Sequence, residues 1–186
     1  MDTPYDNNRG IKIKTFIDDV VSKNNGLYGI YVAGTGFFTI RNVEAVNNAV
    51  AGMRFLAFNP GFNPGSDITL DGQVHLNNNG DYGLQLINFQ AAPTTVNVVG
   101  DLVTDRNGLD GITIAGIDND SPDVTVVLGD SSSSGKSGKV GSSGSVKACM
   151  NGEVDIDDTV GNFEGDDYTC DGDLSKCNEC YPGCFA

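Results

Sequence analysis

The sequence predicts an all-β chain: a solenoid of about five coils followed by a Cys-rich irregular tail. Three observations predict it. Asn and Gly recur in fixed columns along the first two thirds of the chain. The apolar residues between them alternate with a period of two, the signature of short strands. The composition, with 25 Gly among 186 residues, is poor in helix formers.

The elements follow in chain order. A short echo, Asn8-Arg9-Gly10-Ile11-Lys12-Ile13, comes first. Four windows of 17 residues, 16–32, 39–55, 70–86 and 98–114, then align without gaps, their starts offset by 23, 31 and 28 residues. One column is Asn25, Asn48, Asn79 and Asn107; another is Gly29, Gly52, Gly83 and Gly111. A third is Val20, Val43, Val74 and Leu102. Each Gly is followed by an apolar–any–apolar triplet: Ile30/Val32, Met53/Phe55, Leu84/Leu86 and Ile112/Ile114. A further strand-like run, 124–128, follows the last window. Gly and Asn at the corners fit turns, because both enter the left-handed backbone region more readily than other residues. A stacked Asn column can also hydrogen-bond along the axis. A repeat this short cannot bury its own apolar face and must stack on its neighbours.

Beyond residue 129 the composition shifts. Residues 130–148 read as a Ser/Gly-rich linker and 149–186 as an acidic Cys-rich tail. Asp130 to Ser137 approaches a phosphate-binding loop, but an acid stands at its first position and further Gly residues follow it, so a chance match in a low-complexity tract is preferred. Cys149, Cys170, Cys177, Cys180 and Cys184 are expected to form disulfides, because the segment lacks the apolar residues for a core of its own. Zinc is the competing use of five clustered thiols. Asp167 to Asp173 resembles the start of a calcium loop, yet Asn178 stands where a bidentate Glu is needed, so Ca2+ is a weak expectation and no cofactor is predicted.

A formal net charge of −14 argues against nucleic acid as a partner, since phosphate binding needs clustered cations. No apolar run is long enough for a membrane span. Disulfides imply export, hence a secreted or cell-surface location, although the first residues carry no signal peptide. The chain is therefore expected to be a fragment that opens within the repeat array.

Segments such as Asn24 to Val32 and Phe38 to Val43 resemble right-handed parallel β-helix repeats, a family of pectate-lyase-like carbohydrate enzymes and uncharacterised surface proteins. The resemblance covers roughly residues 7–129. It implies a single-stranded right-handed parallel β-helix over 1–129, and it leaves the activity open. In that family substrates often lie along a parallel sheet. Between the inward residues of the post-Gly strands stand Lys12, Tyr31, Arg54, Gln85 and Thr113, expected to form one exposed stripe. Cations, an aromatic ring and an amide in line would suit an extended acidic sugar. Plain outward polarity of strands explains the same residues. A second stripe, Thr39, Thr69, Asn97 and Thr125, is read as structural.

No catalytic set emerges. Arg54 or Lys12 could serve as a lyase base, but Asp81 and Asp110 fall at turns instead of lining the stripe. Asp101 and Asp105 flank one strand at positions where corners favour Asp. His75, the single histidine, is expected to point outward. The expected function is a non-catalytic module that binds carbohydrate or extracellular matrix. The competing expectation is part of a polysaccharide lyase or related enzyme acting on acidic polysaccharide.

Overall fold

The computed structural model describes residues 14–58, 66–89, 94–116, 124–128, 145–153, 155–157, 162–164 and 168–170. These form fourteen strands and no helix: β1 (Lys14–Lys23), β2 (Tyr28–Ala33), β3 (Phe37–Val46), β4 (Ala51–Phe58), β5 (Ser66–His75), β6 (Tyr82–Phe89), β7 (Thr94–Val98), β8 (Asp101–Val103), β9 (Ile112–Gly116), β10 (Val124–Leu128), β11 (Ser145–Ala148), β12 (Ile156–Asp157), β13 (Asn162–Glu164) and β14 (Tyr168–Cys170). The strands pair in parallel within two sheets. The smaller has the order β12-β9-β6-β4-β2. The larger runs β13-β10-β7-β5-β8-β11-β14, with β3 also on β5 and β1 on β3. The chain alternates between the sheets, and each strand lies beside its counterpart from an earlier repeat. β5 spans two lanes, pairing with β7 through its first half and with β8 through its second.

The registers match the repeat columns. Val20 lies opposite Val43, Val43 opposite Val74, and Val74 opposite Leu102. In the smaller sheet Ile30, Met53, Leu84 and Ile112 succeed one another, and Ile156 extends the row. Met53, Leu84, Ile112 and Ile156 are fully buried. Each such side chain contributes about 1.5–3 kcal/mol through removal from water. Phe38 and Phe55 meet edge to face across the two sheets, with centroids 6.0 Å apart.

The Asn column is a ladder of side-chain amides. Asn25 Nδ2 donates to Asn48 Oδ1 at 2.8 Å, Asn48 Nδ2 to Asn79 Oδ1 at 3.1 Å, and Asn79 Nδ2 to Asn107 Oδ1 at 3.0 Å. Each receiving oxygen also accepts the backbone N–H of the donating Asn. The ladder has a fifth member, Asn151, whose Oδ1 accepts from Asn107 Nδ2 at 3.0 Å. Asn151 in turn donates to the buried carboxylate of Asp155 at 2.8 Å. The left-handed corner is held by the residues just before the ladder: Asn24, Asn47, Asn78, Arg106 and Met150 all have φ between 56° and 58°.

The Gly column has a different cause from the one expected. Gly29, Gly52, Gly83 and Gly111 are not among the positive-φ residues. They are required by close approach. A Cβ on Gly83 would stand 2.6 Å from the Gly111 carbonyl oxygen and 2.8 Å from Asn107 Nδ2, and the other three meet the ladder in the same way. A second left-handed corner, at Asp19, Asn42 and Gly72, carries a register shift between β3 and β5.

The parallel register carries past residue 129, where the repeats were expected to end. β11 pairs with β8, β12 with β9, β13 with β10 and β14 with β11. Val146 lies opposite Leu102 and is buried, so Val146, Ile156 and Asn151 continue three of the repeat columns. Cys149 is buried at 1% exposure. The side chains of Cys170, Cys177, Cys180 and Cys184, the segment proposed for calcium, and most of the Ser/Gly-rich stretch lie outside the described residues.

Two predictions follow from the ladder. Asn79→Ala strands the Asn48 donors and removes one of the two donors to Asn107 Oδ1 in a dry interior, and urea unfolding should show a loss of about 3 kcal/mol; Asn25→Ala, at the exposed end, should cost under about 1 kcal/mol. Gly83→Ala should cost about 1–3 kcal/mol in the same assay, because its methyl meets backbone that cannot swing aside.

Candidate functional site

The expected stripe lies in one register lane on the outer side of the smaller sheet. Tyr31 is opposite Arg54, Arg54 opposite Gln85, and Gln85 opposite Thr113. Asp157 follows Thr113 in the same lane. Lys12 lies outside the described residues. The structure thus brings four of the five residues together, but it corrects their exposure. Tyr31 is 51% exposed and Arg54 is half-buried, whereas Gln85 and Thr113 are buried at 8% and 5%. The neighbouring outward lane explains why this face is less wet than alternation predicts. It reads Ala33, Leu56, Ile87 and Ala115, and Ile87 is itself buried. Thr113 spends its hydroxyl on Asp157, donating at 3.3 Å.

The accessible part is therefore an aromatic–cation cluster on β2 and β4. The rings of Tyr28 and Tyr31 stack at 5.4 Å with 23° between their planes. The Arg54 guanidinium lies 4.9 Å from the centre of the Tyr28 ring, and Arg54 Nη1 donates to the Tyr28 hydroxyl. The cation is thereby held against one tyrosine while the other presents its face to solvent. Arg54 Nε is buried without a hydrogen-bond partner, and so is Gln85 Oε1 on the adjacent strand. Tyr28 was not singled out in the sequence. Its signal was its position just before the column Gly29, three residues from Tyr31.

The rim of the cluster is acidic. Tyr82, opposite Ala51 on β4, has its phenol pushed above the ordinary value. Burial is the main cause, with the charges of Asp110, Asp81 and Glu153 adding to it and Arg54 opposing it.

The other candidates have structural partners. His75 occupies an outward lane with Val21 behind Glu44 and with Val103 beyond, half-buried beside a shallow groove of about 250 Å³. Glu44 there is paired with Lys23 at 2.7 Å. Asp101 accepts from the Ser145 hydroxyl at 2.7 Å. Asp105 accepts the Cys149 backbone N–H and faces Lys147 at 3.4 Å. Burial still holds the Asp105 carboxyl above its usual range, because desolvation outweighs the lysine. The second stripe is not one lane: Thr39, Thr69 and Asn97 are in register, but Asn97 faces Val127, while Thr125 faces Thr95. β10 lies 30 residues beyond β7, two more than the 28 that separate Thr69 from Asn97, which displaces Thr125. Among the described residues no group of three His, Cys, Asp or Glu is placed to hold a metal, and no helix is long and apolar enough to cross a membrane.

Tyr82 supplies a test of these electrostatics. Its folded-state phenol is harder to ionise than the unfolded one, so its contribution to stability falls as pH rises through the alkaline range. Ultraviolet difference titration should find one phenol above the ordinary value, and Asp81→Asn should move that transition down.

Comparison of the chain with protein-family models, with curated proteins and with solved structures returns no match.

Proposed function

We propose that the chain is a right-handed parallel β-helix module, secreted or cell-surface, that binds carbohydrate or matrix glycan without catalysing a reaction. The observation that carries this reading is the Tyr31 face, half exposed and stacked on Tyr28, with the Arg54 cation held beside it. A pyranose ring has one face of C–H groups and an edge of hydroxyls. An exposed phenol ring offers apolar area to the first, and its own hydroxyl and an adjacent guanidinium can bond to the second. The rigidity of the platform supports the same reading. β2 and β4 are fixed by a parallel ladder, so the rings lose little freedom when a ligand lands on them. Burial of Gln85 and Thr113 confines direct contact to the Tyr31–Arg54 end of the lane. The ligand is then a short run of sugar units across two strands instead of a chain laid over five.

A glycan array tests it. The wild-type chain should retain at least one carbohydrate, and the Tyr31→Ala/Arg54→Ala double variant should lose about tenfold or more of that affinity while keeping its circular dichroism spectrum. Absence of any retained glycan or matrix component would remove the binding role. Release of an unsaturated, ultraviolet-absorbing product from a uronic-acid polysaccharide would overturn the non-catalytic one.

A further inference from the structure

The chain contains four Asn-Gly pairs, and all four are ladder positions: Asn25-Gly26, Asn79-Gly80, Asn107-Gly108 and Asn151-Gly152. Asn followed by Gly is the pair most prone to spontaneous loss of the side-chain amide, because Gly puts no side chain in the way of its own nitrogen. The reaction needs three things: a free amide nitrogen on the Gly, an Asn Cγ it can reach, and room for the backbone to turn.

Three of the pairs are denied all of these. Gly80 N donates to the Asn48 carbonyl at 2.8 Å, Gly108 N to Asn79 at 2.9 Å, and Gly152 N to Asn107 at 2.8 Å. Each of the three Asn side chains accepts on Oδ1 from the rung before and donates from Nδ2 to the group after. Each of the three Gly residues is so tightly stacked that a Cβ would fall within 2.0 Å of a carbonyl oxygen. Asn25-Gly26 differs on every count. Among the described residues Gly26 N has no hydrogen-bond partner, and none lies within 4 Å of a Cβ built there. Asn25 is exposed, and among the described residues none donates to its Oδ1; its Nδ2 is held by Asn48 and by the Ser22 hydroxyl at 3.0 Å.

We propose that Asn25-Gly26 is a site of spontaneous covalent modification, at which Asn25 converts to aspartate and isoaspartate in the folded protein. Gly26 N gives its proton to solvent and attacks Asn25 Cγ, forming the C–N bond of a five-membered imide. The Cγ–Nδ2 bond breaks, and ammonia leaves with the proton it needs. One water then opens the ring at either carbonyl, so one water is consumed and one ammonia is released. The product carboxylate has no N–H to offer, and Asn48 Oδ1 loses the Nδ2 donor it had from Asn25. The modification therefore detaches the first rung and leaves the buried ones intact.

The test is incubation of the folded full chain in mildly alkaline buffer, with peptide mass spectrometry reading the amide-to-acid mass increment at each of the four pairs. Asn25 should convert about tenfold or more faster than Asn79, Asn107 and Asn151, whose reaction must wait for local or global opening. In urea the four should convert at comparable rates. Gly26→Ala, which has open space for its methyl, should slow conversion at position 25 about tenfold with the fold retained by circular dichroism. Conversion of Asn79 or Asn107 as fast as Asn25 in the folded chain would overturn the proposal, as would an Asn25 that reacts in urea and resists in buffer.

Discussion

A column of buried amides dictates how the repeats sit on one another. Asn48, Asn79 and Asn107 are 1–3% exposed, and a primary amide so placed must satisfy both its oxygen and its nitrogen within the protein. Each does so only if the next Asn stands directly in line. A slip of one residue would orphan donors and acceptors together and turn every apolar side chain of the strand to the wrong face. The ladder thus acts as a register key, and the apolar columns supply the bulk of the driving force once that register is set. The Gly column follows as a corollary, since the amide nitrogens occupy the space a side chain would need.

The constraint is local, and this explains what varies. Successive ladder residues lie 23, 31, 28 and 44 positions apart. Yet the distance from each ladder Asn to the inward apolar residue of the next strand is constant, from Asn25 to Ile30 and from Asn151 to Ile156. Extra length is inserted away from the Asn corner, as in the segment between β10 and β11. The outer faces are freer still. On the smaller sheet one outward lane is polar and its neighbour is apolar, so the surface beside Tyr31 is partly sealed and the cluster of Tyr28, Tyr31 and Arg54 stands at its open end.

Much of this was legible in the residues. Columns such as Val20, Val43, Val74 and Leu102 recur at constant spacing from Asn and Gly, and parallel pairing converts constant spacing into contact. The Tyr31 lane was legible in register for the same reason. Its burial was not, because pairs such as Leu86-Ile87 break the alternation that assigns residues to faces. Asn151 escaped notice because its repeat is longer and because Asp155 stands where the other repeats have Gly. Thr125 was misplaced because one face of the stack uses a different offset from the corner. The role of the Gly residues could not be read from one chain, since φ and steric crowding leave the same letter in a sequence.

The amide column also has a direction. Every member passes one amide hydrogen to the next oxygen along the column, always in the same direction, and the last passes it to a carboxyl oxygen of Asp155. The two termini of the column are therefore chemically unlike. At the Asn25 side, where none of the described residues donates to Oδ1, an incoming amide could simply join the queue. Beyond Asp155 the series is plugged, because the site a newcomer would occupy is already filled by an acid. An Asn added by duplication at the Asn25 side would extend the ladder in kind, whereas past Asn151 the stack carries on through β13 and β14 with an acid in the ladder's next place.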